Sequence, residues 1–177
     1  MDDAAEVYRL IEDRPNTLSL SSHRHVYEQH FITAEHGWQG KSAHHHIIAG
    51  TACGAWYRGL PDEVGIPHGL MRDGTPKGYT IMTFDGNRYS ARYKVSRRPA
   101  DYQMNIWAPN SWKADGSTTE VIVNVFGGSR RSTVEMRVGD DAEWKKLKFT
   151  ARPDPFFDEL KKLEKIHGEL EGQRRLR

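Results

Sequence analysis

The residues of this chain whose types and spacing allow chemistry are mostly histidines near its start. His23 and His25 form a His-x-His pair. Two imidazoles one residue apart can bind two neighbouring metal ions or share one. The alternative is that both are ordinary surface histidines on a turn, because a lone His-x-His pair is a weak signal for metal binding.

A second group of imidazoles follows at His44, His45 and His46. Alternation along a strand places His44 and His46 on one face and His45 with Ile47 on the other. Three imidazoles arranged in this way do not converge on one ion. We therefore expect that one of them packs in the interior, one forms hydrogen bonds and one is solvated. The competing hypothesis is a site for one transition ion, zinc above all, built from His23, His25 and one of these three.

The elements that must position these histidines are short strands. Residues 17–22 alternate between apolar and small polar side chains, which predicts a strand with one buried face that ends just before the His-x-His pair. Residues 26–32 and 44–53 are predicted as further strands, with Cys53 as a buried structural thiol. Ligands and metals in open α/β sheets bind at the carboxyl ends of strands, which is where His23 and His25 lie.

A helix is predicted ahead of the first strand, over residues 4–13. Val7, Leu10 and Ile11 form one apolar stripe, and Asp2 or Asp3 is expected to cap the amino end. A helix followed by a strand is the second half of a β-α-β unit. We therefore expect an upstream portion to be missing, and the sequence leaves open whether Met1 is a natural start or a truncation.

Residues 54–78 are predicted to form a long loop without periodicity, rich in Gly and Pro. Loops of this length in compact proteins are usually functional lids or connections between domains. A loop that crosses the carboxyl end of the sheet can cover a ligand there, with Arg58 or Arg72 pairing to an anionic group of it. Arg72 and Asp73 are the candidate substrate-binding residues. A linker whose aromatic side chains fill a domain interface is the alternative.

From residue 79 onward the periodicity is that of β-strands. Six strands are predicted, at 79–84, 89–95, 102–108, 120–126, 133–138 and 143–149, with Asp85-Gly86-Asn87 as a hairpin turn. This spacing is typical of a β-sandwich of the immunoglobulin or fibronectin type. Asp154-Pro155 then opens a closing helix with an apolar stripe that includes Phe156, Leu160 and Leu163.

Composition excludes several classes of protein. The formal net charge of the 177 residues is +2, which gives no reason to invoke nucleic acid or an anionic membrane surface. No stretch approaches the roughly 20 apolar residues that a membrane helix needs. The single cysteine excludes an intrachain disulfide, and no signal peptide is present at the start of this sequence, so the residues leave the compartment open.

Several separate blocks resemble the calcineurin-like metallophosphoesterases, specifically a subfamily whose catalytic domain is followed by a dedicated C-terminal domain. Ser-His-Arg-His at 22–25 resembles the last metal motif of the family, Gly-His-x-His, with Ser22 in place of the glycine. The resemblance extends from about residue 17 to about residue 149. Its other blocks are His-His-His-Ile-Ile-Ala-Gly at 44–50, Gly-Ala-Trp at 54–56, Asp-Gly-Thr-Pro-Lys-Gly-Tyr at 73–79 and Arg-Pro-Ala-Asp-Tyr-Gln-Met at 98–104.

The resemblance implies hydrolysis of phosphate esters by two divalent cations (Mn, Fe, Zn or Mg) that activate water for in-line attack on phosphorus. It makes His23 and His25 metal ligands in the complete protein. It also favours a periplasmic or secreted location. The upstream family motifs that supply carboxylates are missing, and no Asp-x-His occurs in the sequence. We therefore assign no catalytic residue and expect this chain alone to be inactive and to hold no metal.

The sequence thus predicts a mainly β (α+β) chain. Residues 1–53 are interpreted as the C-terminal part of a phosphoesterase domain, 54–78 as a loop or linker, and 79–177 as a β-sandwich domain with a closing helix. The expected partners are a phosphate-ester substrate, the missing N-terminal catalytic portion, and a second copy paired through an exposed sheet edge. The alternative to an enzyme portion is a non-catalytic module that recognises its ligand with Trp56, Trp107 and Trp112.

Overall fold

A computed structural model describes residues 3–111 and 119–175 of the protein. Two helices and nine strands are found in these ranges. The helices are α1 (Ala4–Ile11) and α2 (Pro155–Arg175). The strands are β1 (Leu18–Ser21), β2 (Tyr27–Ile32), β3 (His44–Ala49), β4 (Gly78–Asp85), β5 (Arg88–Val95), β6 (Met104–Trp107), β7 (Ile122–Val125), β8 (Glu135–Met136) and β9 (Lys145–Lys146). Strands therefore dominate, and the predicted mainly β fold is confirmed.

The first three strands form one sheet in the order β1-β3-β2. β3 is parallel to β1, with Leu18 opposite His45, and antiparallel to β2, with Tyr27 opposite Ala49. Because parallel strands end at the same edge, the segment after Ser21 and the segment after Ala49 emerge side by side. The two histidine-bearing segments are thus neighbours in the sheet.

The remaining strands pair as three separate two-stranded sheets, β4–β5, β6–β7 and β8–β9. The first pair is the predicted hairpin, and Gly86 in its turn has φ of 56°, a conformation that glycine adopts without a Cβ penalty. β8 and β9 contain only two residues each, far fewer than predicted. The immunoglobulin-like sandwich therefore stays a prediction.

One hydrophobic core joins parts of the chain that are far apart in sequence. Tyr27 and Ile47 come from the first sheet, Met71 from the long loop, and Tyr93 from the β4–β5 hairpin, together with Val95 and Phe126. All six residues are at most 6% exposed. The predicted division at residues 53 and 78 stays a prediction, and the three predicted segments all contribute to this core.

The helices agree with prediction in position and differ in detail. Asp154 caps α2 as expected, because its Oδ1 accepts a hydrogen bond from the Phe157 N–H at 2.7 Å. Asp3 occupies the predicted capping position of α1, although its side chain makes no cap hydrogen bond, and Asp2 lies outside the described residues. Val7 and Leu10 on the apolar stripe of α1 are 44% and 67% exposed. No helix of the described residues is long and apolar enough to cross a membrane.

The prediction that Cys53 is a buried structural thiol is wrong. β3 ends at Ala49, four residues before Cys53, and Gly50 then turns the chain with φ of 71°. Cys53 lies outside the sheet in the following turn, and its side chain is exposed. The predicted strand at 44–53 is longer than β3 because the positive φ of Gly50 ends the pairing of β3 with its neighbours.

Candidate functional site

The loop between β1 and β2 carries His23 and His25, as the sequence predicts. Both residues have left-handed backbone conformations, with φ of 83° and 52°. Histidine is one of the few non-glycine residues enriched in this region of φ/ψ space. His23 is exposed and His25 is half-buried. The tight turn that the family glycine would provide is made here with positive φ at the histidines that flank Arg24.

His25 is held by the turn that follows β3. Its Nδ1–H donates a hydrogen bond to the carbonyl of Gly54, and its ring stacks on Trp56 with centroids 3.9 Å apart and an 18° angle between planes. The Thr51 hydroxyl donates to the same carbonyl at 2.9 Å. A carbonyl accepts only, so the proton of neutral His25 is on Nδ1 and the lone pair on Nε2. Metal-binding histidines are typically oriented in this way by a backbone carbonyl.

The described residues do not gather three metal ligands at one place. Among the side chains that the structure describes, no group of three or more His, Cys, Asp or Glu is arranged to hold an ion. The single-ion site made from His23, His25 and one of the histidines of β3 stays a prediction. What the chain offers is one oriented imidazole, His25, beside an exposed one, His23.

The histidines of β3 form a hydrogen-bonded chain with hydroxyl groups, which we call the imidazole–hydroxyl ladder. It consists of Thr17, His44, Ser19, His46 and Ser21. The Thr17 hydroxyl is 2.8 Å from His44 Nδ1, and the Ser19 hydroxyl is 2.7 Å from both His44 Nε2 and His46 Nδ1. The Ser21 hydroxyl closes the ladder 3.0 Å from His46 Nε2.

We call the loop at 22–26 between β1 and β2 the metal-motif loop, because its Ser-His-Arg-His resembles the last metal motif of the phosphoesterases. The ladder fastens β3 to β1 up to Ser21, the last residue before this loop. All four ring nitrogens of His44 and His46 have a hydroxyl partner, and each neutral ring can donate to one and accept from the other. Burial lowers the pKa of His44, and the neighbouring His46 lowers it further. Burial also lowers the pKa of His46, with a second contribution from His30. Burial thus favours the neutral form of both rings.

His45 points to the opposite face, as strand alternation predicts. Its Nδ1 is 2.6 Å from the Tyr89 hydroxyl, and its ring stacks on Phe31 at 4.5 Å. Its Nε2 is buried and has no hydrogen-bond partner among the described residues. Burial lowers the pKa of His45, and the nearby Arg131 lowers it further. This ring joins the first sheet to the β4–β5 hairpin.

The structure separates the two residues that were predicted to contact substrate. Arg72 is exposed, whereas Asp73 is half-buried. Asp73 Oδ2 accepts hydrogen bonds from the Tyr27 N–H at 3.0 Å and the Thr75 hydroxyl at 2.7 Å. Burial raises the pKa of Asp73. The substrate role of both residues stays a prediction, and the contacts of Asp73 fasten the long loop to the residue two positions after His25.

Sequence reasoning missed the residues that anchor this loop. The Asn124 amide donates to the Asp73 carbonyl and to Asp154 Oδ2, both at 2.8 Å, and so joins β7, the loop and the cap of α2. Lys77 is 7% exposed. Its Nζ lies 3.8 Å from Asp62 Oδ2 and donates a hydrogen bond to the Pro67 carbonyl. A lone amide in the apolar run 121–126 was the signal that could have revealed Asn124.

The three tryptophans of the binding-module hypothesis differ in exposure. Trp56 is 63% exposed beside His25, and Trp107 is 39% exposed on β6. Trp112 lies outside the described residues. Of the two that the structure describes, Trp56 is the one that is strongly exposed and also contacts a residue of the metal-motif loop.

Comparison with known proteins identifies the chain. The family model described as the C terminal of calcineurin-like phosphoesterase matches residues 45–176, which is most of the 177-residue chain. The matched range begins after His23 and His25. No curated protein and no solved structure matches the chain. The protein therefore belongs to the family formed by the C-terminal part of calcineurin-like phosphoesterases.

Proposed function

We propose that this chain is the C-terminal portion of a metallophosphoesterase that hydrolyses phosphate mono- or diesters when its upstream catalytic portion is present. The orientation of His25 carries this proposal. Its Nδ1 is engaged by the Gly54 carbonyl, so its Nε2 is the nitrogen left to bind a metal. His23 on the same loop would be the second ligand. When bound, two divalent cations supply the activated water and stabilise charge on the phosphate.

The contribution of this chain is to bring two imidazoles to a site that other residues complete. Two neutral nitrogen ligands do not neutralise two divalent ions, so the carboxylates must come from elsewhere. In the described part of the chain β1 is an edge strand, because β3 is its one neighbour there. The exposed apolar side chains Val7 and Leu10 on α1 lie just ahead of that edge in sequence. These features support docking of an upstream portion against α1 and β1.

The test compares the 177-residue chain with the same chain joined to or mixed with its upstream portion. Metal content is measured by mass spectrometry on protein purified without a His tag. Hydrolysis of a generic phosphodiester is measured with and without added manganese. We expect near-zero metal and no turnover for the chain alone, and about two ions with manganese-dependent turnover for the complete protein.

Two histidine variants sharpen this test. His25→Ala in the complete protein removes the proposed ligand, and we expect turnover to fall about a hundredfold or more. His36→Ala is the matched control, because His36 is an exposed imidazole on the turn after β2, and it should leave turnover unchanged. Turnover by the isolated chain, or equal turnover in both variants, would contradict the proposal.

A further inference from the structure

Two consecutive bulky side chains adopt a backbone conformation that such residues rarely occupy. Trp56 and Tyr57 have φ of 54° and 56°. A left-handed conformation is a genuine outlier for bulky residues, and strain of this kind is concentrated at ligand-binding and active sites. Both side chains are exposed, at 63% and 52%, so their burial does not offset the strain.

The turn that carries them is held rigidly. The Tyr57 N–H donates to the Cys53 carbonyl at 2.7 Å, and the Ala55 N–H donates to the Gly69 carbonyl at 3.0 Å. Gly54 lies so close to Gly69 that a Cβ would be 1.7 Å from the Gly69 carbonyl oxygen. Trp56 is thus presented by a fixed backbone, which reduces the ordering that a ligand must cause.

Trp56 uses one face of its indole to stack on His25, with centroids 3.9 Å apart. Its high exposure leaves the other face open to solvent. A flat ring placed on that open face would extend the stack of imidazole and indole. Any purine or pyrimidine has such a face, and aromatic side chains bind bases in this way without hydrogen-bond readout.

We propose that Trp56 is a stacking platform for a planar heteroaromatic group of the substrate, which makes the substrate a nucleotide-like phosphate ester. That the ligand also carries a phosphate ester rests on the proposed function. The link between the two is that Trp56 contacts His25, the candidate metal ligand. In a nucleoside monophosphate one sugar separates the base from the phosphate. A ligand of this kind can therefore reach the platform and the metal-motif loop together.

The test measures base stacking without relying on hydrolysis. Adenosine, AMP and ribose 5-phosphate are titrated separately into the ¹⁵N-labelled 177-residue chain, and the indole N–H signals are followed by NMR. The signal that disappears in Trp56→Asn identifies Trp56. Asparagine is chosen because it tolerates positive φ, so this variant keeps the turn. Trp144→Asn is the control, because Trp144 is also strongly exposed, at 60%.

We expect adenosine and AMP to shift the Trp56 signal in a saturable way, while ribose 5-phosphate does not. Trp56→Asn should weaken adenosine binding about tenfold, and Trp144→Asn should leave it unchanged. An absent shift, an equal response to ribose 5-phosphate, or an equal loss in both variants would overturn the proposal. Adenosine binding by a protein that never hydrolyses esters would support the platform and count against the proposed activity alone.

Discussion

The Asp73 carboxylate accepts a hydrogen bond from the backbone N–H of Tyr27 at 3.0 Å, between residues 46 positions apart in sequence. Tyr27 is the first residue of β2 and follows the metal-motif loop. The contact fixes the exit of this loop, while the imidazole–hydroxyl ladder fixes its entry at Ser21. The loop that presents His23 and His25 is thus held at both ends by polar contacts from other parts of the chain.

Asp73→Ala should therefore destabilise the protein. The Tyr27 N–H and the Thr75 hydroxyl would lose their acceptor in a largely buried place, at a cost of about 2 kcal/mol in the free energy of unfolding. Asp85→Ala, at the exposed last residue of β4, is the matched control and should change stability by less than about 0.5 kcal/mol. Urea denaturation measures both. Equal effects of the two substitutions would show that the Asp73 contacts contribute nothing.

Stability should fall as the pH is lowered through the ordinary histidine value of about 6.5. The folded protein lowers the pKa of His44 and His46, chiefly by burial. Between the folded and unfolded pKa values the unfolded chain binds more protons, so acid favours unfolding. The urea concentration at the midpoint of unfolding, measured from pH 8 to pH 5, should decrease once the pH is below about 6.5. The double variant His44→Gln, His46→Gln should show a shallower drop, and an unchanged drop would rule out these rings as its source.

Gly54→Ala and Gly86→Ala separate backbone strain from steric conflict. The two glycines have nearly equal φ of 55° and 56°. A Cβ at residue 54 would meet the Gly69 carbonyl oxygen at 1.7 Å, whereas a Cβ at residue 86 would have nothing within 4 Å. We expect Gly86→Ala to cost about 1 kcal/mol, the penalty of the left-handed conformation alone. Gly54→Ala should cost at least about 2 kcal/mol more by thermal or urea denaturation.

Cys53 should react with a thiol reagent in the folded protein. Its side chain is exposed in the turn after β3. One thiol per chain should therefore be modified under native conditions at a rate close to that of the unfolded chain. Absorbance after addition of an aromatic disulfide reagent, with and without urea, measures this. A native rate a hundredfold or more below the denatured rate would mean that Cys53 is protected.

The sequence by itself determined the local elements of this protein. Alternation at 79–95 around Asp85-Gly86-Asn87 predicted the β4–β5 hairpin, and Asp154-Pro155 predicted the start of α2. Both signals are local, because a turn and a helix cap depend on residues a few positions apart. The same applies to the position of the His-x-His pair at the end of β1, which follows from the strand that precedes it.

Only the tertiary structure decided what the polar residues do. Ser19 and Ser21 contact histidines at least 25 positions away, and Asp73 contacts the start of β2. No spacing rule predicts such partners, since they depend on which strands pair and in which register. The exposure of Cys53 was likewise not predictable from the apolar run, because the positive φ of Gly50 ended β3 at Ala49. Local patterns thus determined where elements form, and contacts between distant residues determined which side chains were left to bind a ligand.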